Sequence, residues 1–327
     1  MRSTEAFEAF YSGELIHNLR EVDVIRKKIL KAGFTMLGIL LIPVAVVLAI
    51  HYFFDLSQQN QVVLFGVAGL VVAAGMIYMA FKVRGLKYRK TFKTKVMEPI
   101  IRFISDDLKY FPKEKIMKGD FVNSRLFLNR IDRYKGDDYV EGTIDKTKFR
   151  FSELHVQYKT SSTDSKGNTK TQWHTVFKGL FFIADFNKEF KGSTVLLPNY
   201  FGKGLSILKK VFGLNRKEKL VKLEDPEFSK NFNCYSTDDI KARYILSPAL
   251  MKRISAFKEK YPKNPVFISF VDGKIYIAIS YSKDLFEPTY FKSLVNIDTI
   301  KTYFEDVKFA VDIVEELNLN TRIWTKE

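Results

Sequence analysis

Two apolar runs free of Asp, Glu, Lys and Arg dominate the polarity pattern of the chain, Phe34–Phe54 and Val62–Phe81, separated by the stretch Asp55 to Gln61, which holds no lysine or arginine. At a rise of about 1.5 Å per residue, either run as a helix is long enough to cross the ~30 Å hydrocarbon core of a bilayer. The spacing therefore predicts an N-terminal transmembrane helical hairpin over 34–81. Arg20, Arg26, Lys27, Lys28 and Lys31 precede the first run, and Lys82, Arg84, Lys87, Arg89, Lys90, Lys93 and Lys95 follow the second. Such residues are retained on the cytoplasmic side, so both termini are expected there. The segment ahead of the first run is too long and too acidic, with Glu5, Glu8, Glu14, Glu21 and Asp23, for a cleaved signal peptide. Gly66, Gly69 and Ala73 recur at steps of three and four in the second run, a small-residue face on which another helix, from the hairpin or a second copy, can pack.

Outside the runs the period changes along the chain. Phe7, Phe10, Leu15, Leu19, Val22, Ile25 and Ile29 follow helical spacing, giving an amphipathic segment over 1–33. A basic juxtamembrane helix and linker follow the hairpin over 82–110, its end marked by an amphipathic stretch, Val96–Tyr110. From 111 to 327 a cytoplasmic α+β body is expected, an antiparallel sheet with amphipathic helices, open to division into two subdomains near 200–225. Strands are predicted at Tyr139–Ile144, Lys148–Tyr158 and Gln172–Phe186, with a bulge near Ser152-Glu153 where the apolar phase switches and a polar mobile loop at Thr160–Lys170. Ser247-Pro248 reads as an N-cap and first helical residue. Asp272-Gly273 reads as the turn of a hairpin over Pro265–Ser280. Ile300, Phe304, Val307, Val311, Val314 and Leu317 mark a long final amphipathic helix.

The formal net charge of +16 sharpens this picture less than its distribution does. Residues 20–95 carry twelve Lys/Arg against Glu21, Asp23 and Asp55, which topology explains, and the remaining excess is spread over the 232 residues from Val96 to Glu327. No basic stripe with stacking aromatics marks a nucleic-acid surface. The seven cations from Lys82 to Lys95 instead suit an anionic lipid surface. Cys234, the single cysteine, has no partner for an internal disulfide, and with four histidines no zinc site of the usual kind is expected.

Chemistry is thinly signalled. Asn199–Gly204 opens an apparent helix and resembles an anion-holding turn, without the spacing of a phosphate loop. His155 and His174 share a face if Tyr158 pairs with Trp173. The acidic pairs Asp106-Asp107, Asp137-Asp138, Glu224-Asp225 and Asp238-Asp239 read mostly as caps and turns. No nucleophile elbow, zinc-protease helix or kinase signature is present. No catalytic residue, metal or cofactor is assigned.

Two N-terminal spans, then Gly179–Lys188, Leu223–Phe228 and the signature Tyr235–Pro248, resemble the bacterial family labelled domain of unknown function 3137. The resemblance implies a two-span protein of the bacterial cytoplasmic (inner) membrane with unassigned activity, whose relatives lie near genes for LemA-like membrane proteins. It carries over no catalytic residues. Asp238, Arg243, Ser247 and Pro248 fall in the signature and are read as structural, with Asp238 and Arg243 forming an ion pair beside the Ser247-capped helix. The preferred function is a membrane-anchored, non-catalytic module that binds a protein partner, such as a LemA-like membrane protein, or anionic lipid headgroups. The rivals are an enzyme with a site built from Asp238, Asp239, Arg243 and Gly202-Lys203-Gly204, and a self-associating subunit of an envelope assembly.

Overall fold

The computed structural model describes residues 4–54, 60–186, 188–199, 217–317 and 319; between 37 and 80 it describes side chains only at Gly38, Gly69, Val71, Ala74, Gly75 and Met79. By internal contacts the chain divides into two units, Met1–Phe103 with Phe286–Tyr303, and Ile104–Leu285 with Phe304–Glu327.

The first unit is helical. Helix α1 (Thr4–Phe10) runs through a π-helical turn, Tyr11–Leu15, into the 39-residue α2 (Ile16–Phe54). The 33-residue α3 (Asn60–Phe92) runs through a second π-turn, Lys93–Met97, into α4 (Glu98–Ile104). The boundaries expected at 33/34 and 81/82 are thus not breaks: α2 passes through one and α3 through the other, and the predicted amphipathic segment and span are one rod. Apolar residues at helical spacing explain the pairing, since Leu15, Leu19 and Val22 from one rod and Tyr88, Phe92, Val96 and Ile100 from the other are fully buried. Phe10 stacks on Phe103 with ring centroids 4.3 Å apart. Farther along, Gly33 admits the Phe81 ring so closely that a Cβ there would meet it at 3.0 Å. Among the described residues no helix is long and apolar enough to cross a membrane. Most of the two apolar runs, and with them the hairpin read from the sequence, lies outside the residues whose side chains are described.

The second unit is a mixed helix and sheet body built on one nine-stranded antiparallel sheet. Its strands are β1 (Lys109–Phe111), β2 (Arg133–Ile144), β3 (Thr147–Thr163), β4 (Thr169–Asp185), β5 (Ser193–Pro198), β6 (Lys219–Val221), β7 (Phe232–Ser236), β8 (Val266–Val271) and β9 (Lys274–Ser280). The order is β1-β2-β3-β4-β9-β8-β5-β7-β6, so the late β8–β9 hairpin sits in the middle. β5 and β7, which flank residues 200–225, pair with each other, so the subdomain split expected there falls inside a continuous sheet. The helix expected to reach Tyr110 ends at Ile104, and the chain goes directly into β1.

Both faces of the central strands are covered. β8 and most of β9 are buried throughout, the near-continuous apolar reading of a strand with no solvent face. Leu154, Val156, Phe177, Phe181, Phe267 and Tyr276 belong to the core on one face, completed by Phe121 and Phe127. Phe149, Phe151 and Phe182 lie on the other. Hence the apolar phase switch in β3 needs no bulge to gather one face, because Phe151 to Leu154 are all buried. The bulge facing Ser152 lies on the partner strand, where Asp138 and Tyr139 of β2 oppose it and Asp138 takes φ 57°. A second places Val176 of β4 between the pairs formed by Val156 and Gln157.

The polar run expected as a mobile loop is mostly ladder. β3 and β4 pair out to Thr163 and Thr169, with hydroxyl contacts between Ser161 and Thr171 and between Thr163 and Thr169. Cross-strand hydroxyl pairs and β-branched threonines stabilise such a ribbon without an apolar face. Asp164 closes the tip by accepting from the amides of Lys166 and Asn168 at 2.9 Å. Other local signals match the structure. Asp272 and Gly273 both take positive φ in the β8–β9 turn, Ser247 caps Pro248–Lys260, and the last helix spans Ile297–Glu316. Gly179 takes φ 146° where β4 meets β9, and a Cβ there would lie 2.1 Å from the Ile279 carbonyl oxygen.

Candidate functional site

The densest polar arrangement among the described residues lies in the first unit, where the segment Phe286–Tyr303 is tied to the helical rods. Asp23 and Arg26 are three residues apart on α2 and so project to one side. Arg26 Nε donates to Asp23 at 2.6 Å, and Lys27 Nζ lies 3.2 Å from the same carboxylate. The Leu294 amide donates to Asp23 at 3.1 Å and the Ser293 hydroxyl at 3.4 Å. Burial alone pushes the Asp23 carboxyl up, but the hydrogen bonds from Arg26, Leu294 and Lys27 outweigh it and hold the group below its ordinary value. Arg26 also donates from Nη1 to the Tyr290 carbonyl at 3.0 Å.

The α3 rod grips the same segment from another side. The Tyr88 hydroxyl donates to the Thr289 carbonyl at 2.7 Å, and burial raises the phenol's pKa. Glu287 lies 3.1 Å from Arg89 and 3.2 Å from Lys93. The Tyr303 hydroxyl donates to the Glu287 carbonyl at 2.9 Å and accepts from the Thr289 amide at 3.1 Å. The Tyr11 hydroxyl donates to the Val295 carbonyl. Between these anchors the chain holds Phe291 out at 85% exposure, with Lys292 exposed beside it. Such an arrangement fixes a surface.

The basic flank read from the sequence divides in two. Lys82, Arg84, Lys87 and Lys90 are exposed on α3. Arg89 and Lys93 pair with Glu287, Lys93 being buried, and Lys95 pairs with Glu21 of α2. These three ion pairs help hold the unit together, with Lys93 buried and Arg89 and Lys95 still partly exposed. In the small-residue stripe, a Cβ on Gly69 would meet nothing within 4 Å among the described residues. Gly66 and Ala73 lie outside the residues whose side chains are described.

In the second unit the signature residues are structural, with one change of partner. Asp238 caps the helix Asp239–Ile245 by accepting from the amides of Ile240 and Lys241 at 3.0 and 3.1 Å. Its ion-pair partner is Lys241, at 3.4 Å. Arg243 donates instead to the Lys222 carbonyl at 3.2 Å, so the expected Asp238–Arg243 pair is replaced by a tie between this helix and the chain after β6. Ser247 accepts from the Leu250 amide at 3.4 Å, with Pro248 next in the helix. Asp225 caps Pro226–Asn231 in the same manner.

Among the described residues the remaining candidates do not gather into a reactive set. Tyr158 pairs with His174, not Trp173, and stacks on it at 4.9 Å, while His155 reaches Thr175 at 3.4 Å. Residues 200–216, with the Gly202-Lys203-Gly204 turn, lie outside the described residues. The Cys234 thiol is buried and pushed up to about 12 by that burial, the opposite of an activated nucleophile. Open clefts of about 500 and 600 Å³ are bordered by charged groups such as Lys148, Glu141, Arg125 and Glu218. Neither is lined by a serine, cysteine or histidine.

One buried acid escaped the sequence reading. Glu153 of β3 is 7% exposed, and its carboxyl is pushed up to about 9, first by burial, with Asp138, Asp137 and Asp284 adding to the effect. The Leu285 amide, donating at 2.5 Å, opposes the rise without cancelling it. Its place in the sequence, between Ser152 and Leu154 in a strand that also carries Lys148, Arg150 and Lys159, gives no signal of burial.

Residues 175–319 match the profile of the family described as Protein of unknown function (DUF3137). The match takes in β4 to the last helix and the segment held by Asp23 and Arg26. No curated protein and no solved structure matches the chain.

Proposed function

Taking the likeness of residues 175–319 to that family as the premise, we propose that the chain is a non-catalytic module anchored in the bacterial inner membrane by α2 and α3. At about 1.5 Å per residue, helices of 39 and 33 residues extend well beyond a ~30 Å hydrocarbon core. They can cross it and still pair as rods in the cytoplasm. The observation that carries this reading is the change of character along α3. Val71 and Met79 are 66% and 60% exposed, and within a few residues of Met79 the exposed positions become Lys82, Arg84, Lys87 and Lys90. That sequence of surfaces suits a helix leaving acyl chains for an anionic headgroup layer on the cytoplasmic side. Both termini then lie in the cytoplasm, and the sheet body presents its surfaces to a protein partner, for which the family resemblance suggests a LemA-like membrane protein.

Carbonate washing of membranes and reporter fusions at each end test the anchor. The protein should stay in the pellet and both reporters should read as cytoplasmic. Release into the wash, or an external reporter at either end, would remove the proposal. Charge reversal of Lys82, Arg84, Lys87 and Lys90 together should weaken retention of the cytoplasmic orientation, as loss of the positive side predicts.

A further inference from the structure

The hairpin reading leaves one feature unexplained, the outward hold on Phe291. A free loop would fold a phenylalanine against the nearest apolar surface. Here Thr289, Tyr290, Ser293 and Leu294 are all hydrogen-bonded to the rods, through Tyr88, Arg26 and Asp23, on both sides of Phe291. The exposure is therefore imposed by the scaffold.

The position of the loop along α3 can be read from its contacts. The Tyr290 ring lies 6.3 Å from that of Phe81 and 5.2 Å from that of Tyr88, and its hydroxyl oxygen lies 3.0 Å from where a Cβ on Gly85 would stand. Phe81 is the last residue of the apolar run and Lys82 the first cation after it. The loop thus lies beside the helix where acyl-facing surface gives way to headgroup-facing surface. Phe34, Val83 and Leu86, from the same stretches of α2 and α3, are exposed as well, at 67%, 63% and 58%. Aromatic and basic side chains side by side are the composition favoured at a bilayer interface.

We propose that the loop Thr289–Ser293 is a third membrane contact, seating Phe291 at the boundary between headgroups and acyl chains and Lys292 on anionic headgroups. This rests on the hairpin reading and adds to it a lipid-binding role for a segment far from both spans in sequence. Two helices crossing a bilayer leave rotation about the hairpin free. A wedge held on one side of them selects one rotation and fixes which face of the first unit meets the lipid.

The test uses the full chain reconstituted into vesicles of phosphatidylcholine with phosphatidylglycerol, the probe being one added tryptophan. Phe291→Trp reports the loop, Val71→Trp the hairpin and Met117→Trp an exposed site in the second unit, with the unaltered protein as background. Phe291→Trp and Val71→Trp should both shift emission to the blue and lose signal to lipid brominated near the top of its acyl chains, while Met117→Trp should respond only to aqueous iodide. Adding Lys292→Glu should reduce lipid quenching of Phe291→Trp in the mixed vesicles and leave it unchanged in phosphatidylcholine alone. If Val71→Trp is quenched by lipid and Phe291→Trp by iodide alone, the loop faces water or a protein partner, and only this inference falls. If Val71→Trp is not quenched by lipid, the hairpin falls and the inference with it. Equal lipid quenching at Met117 would make the signal non-specific and also overturn the inference.

Discussion

Asp23 in the helical unit and Glu153 in the sheet unit are almost equally withdrawn from water, at 2% and 7% exposure, yet they occupy opposite protonation states near neutral pH. Burial pushes both carboxyls up. Asp23 answers it with a guanidinium, an ammonium and an amide, and stays ionised. Glu153 has a single amide and three acidic neighbours, and keeps its proton. Partners, not depth, decide the charge of a buried acid, and the two units use that rule differently. The helical unit holds a remote segment with paired charges, whereas the sheet unit tolerates a neutral acid beside three other carboxyls.

Asp23→Ala is the most severe way to break the comparison, because it leaves Arg26 buried without its carboxylate. Removing one partner of a buried pair costs about 3–5 kcal/mol. Melting in detergent should show that loss, and hydrogen exchange should rise at the amides of 289–295, where the segment loses its anchor. An unchanged melt with unchanged protection there would show that Asp23 holds nothing. The pH dependence has a definite sign. The folded-state value of Asp23 is depressed, so its contribution is present above the unfolded carboxylate range and lost as pH falls through the folded value.

Glu153→Gln should act in the other direction. The folded carboxyl titrates at about 9, so the unfolded state releases its proton first and stability declines as pH rises from the ordinary carboxylate range to about 9. At pH 7 the neutral amide should stabilise the sheet unit by roughly 3 kcal/mol, at 1.36 kcal/mol per pKa unit. It should also flatten the stability profile between those limits. A variant no more stable than the parent at pH 7, with the same slope, would mean that Glu153 is ionised and finds a partner.

How much of this was legible follows the range of the signals. Ser247-Pro248, Asp272-Gly273 and the helical spacing from Ile300 to Leu317 are local, and each marks the element it was read as. The threonines of 160–171 were read for polarity, but a two-stranded ribbon with both faces in water needs no apolar phase. β5, β6 and β7 are strands of three to six residues, too short for a periodic pattern to stand out, and are placed by the hairpin inserted beside them. In the first unit, Asp23 and Arg26 are visible as a helical pair, but their other partners lie some 270 residues away, a distance no window covers. Glu287 is likewise nearly 200 residues from Lys93, whose ammonium it binds, so nothing local in the sequence marks that pair.

A milder test of the same rule lies at Asp306, in the last helix, whose Oδ2 is buried with no hydrogen-bond partner among the described residues. Burial lifts its carboxyl to about 6, against the pull of Lys283. Asp306→Asn should stabilise the protein by about 3 kcal/mol above pH 6 and by little near pH 4, where the acid is already neutral when folded. Equal effects at pH 4 and pH 8 would point to packing as the cause.

The smallest effect is expected at Gly69, where no described residue lies within 4 Å of a Cβ, so that Gly69→Leu should add helix propensity worth less than about 1 kcal/mol. The detergent-solubilised variant should melt at or slightly above the parent and keep its oligomeric size. A drop in melting temperature together with a loss of oligomer would mean that another helix occupies this face, and the small-residue stripe would then be a contact between copies of the chain.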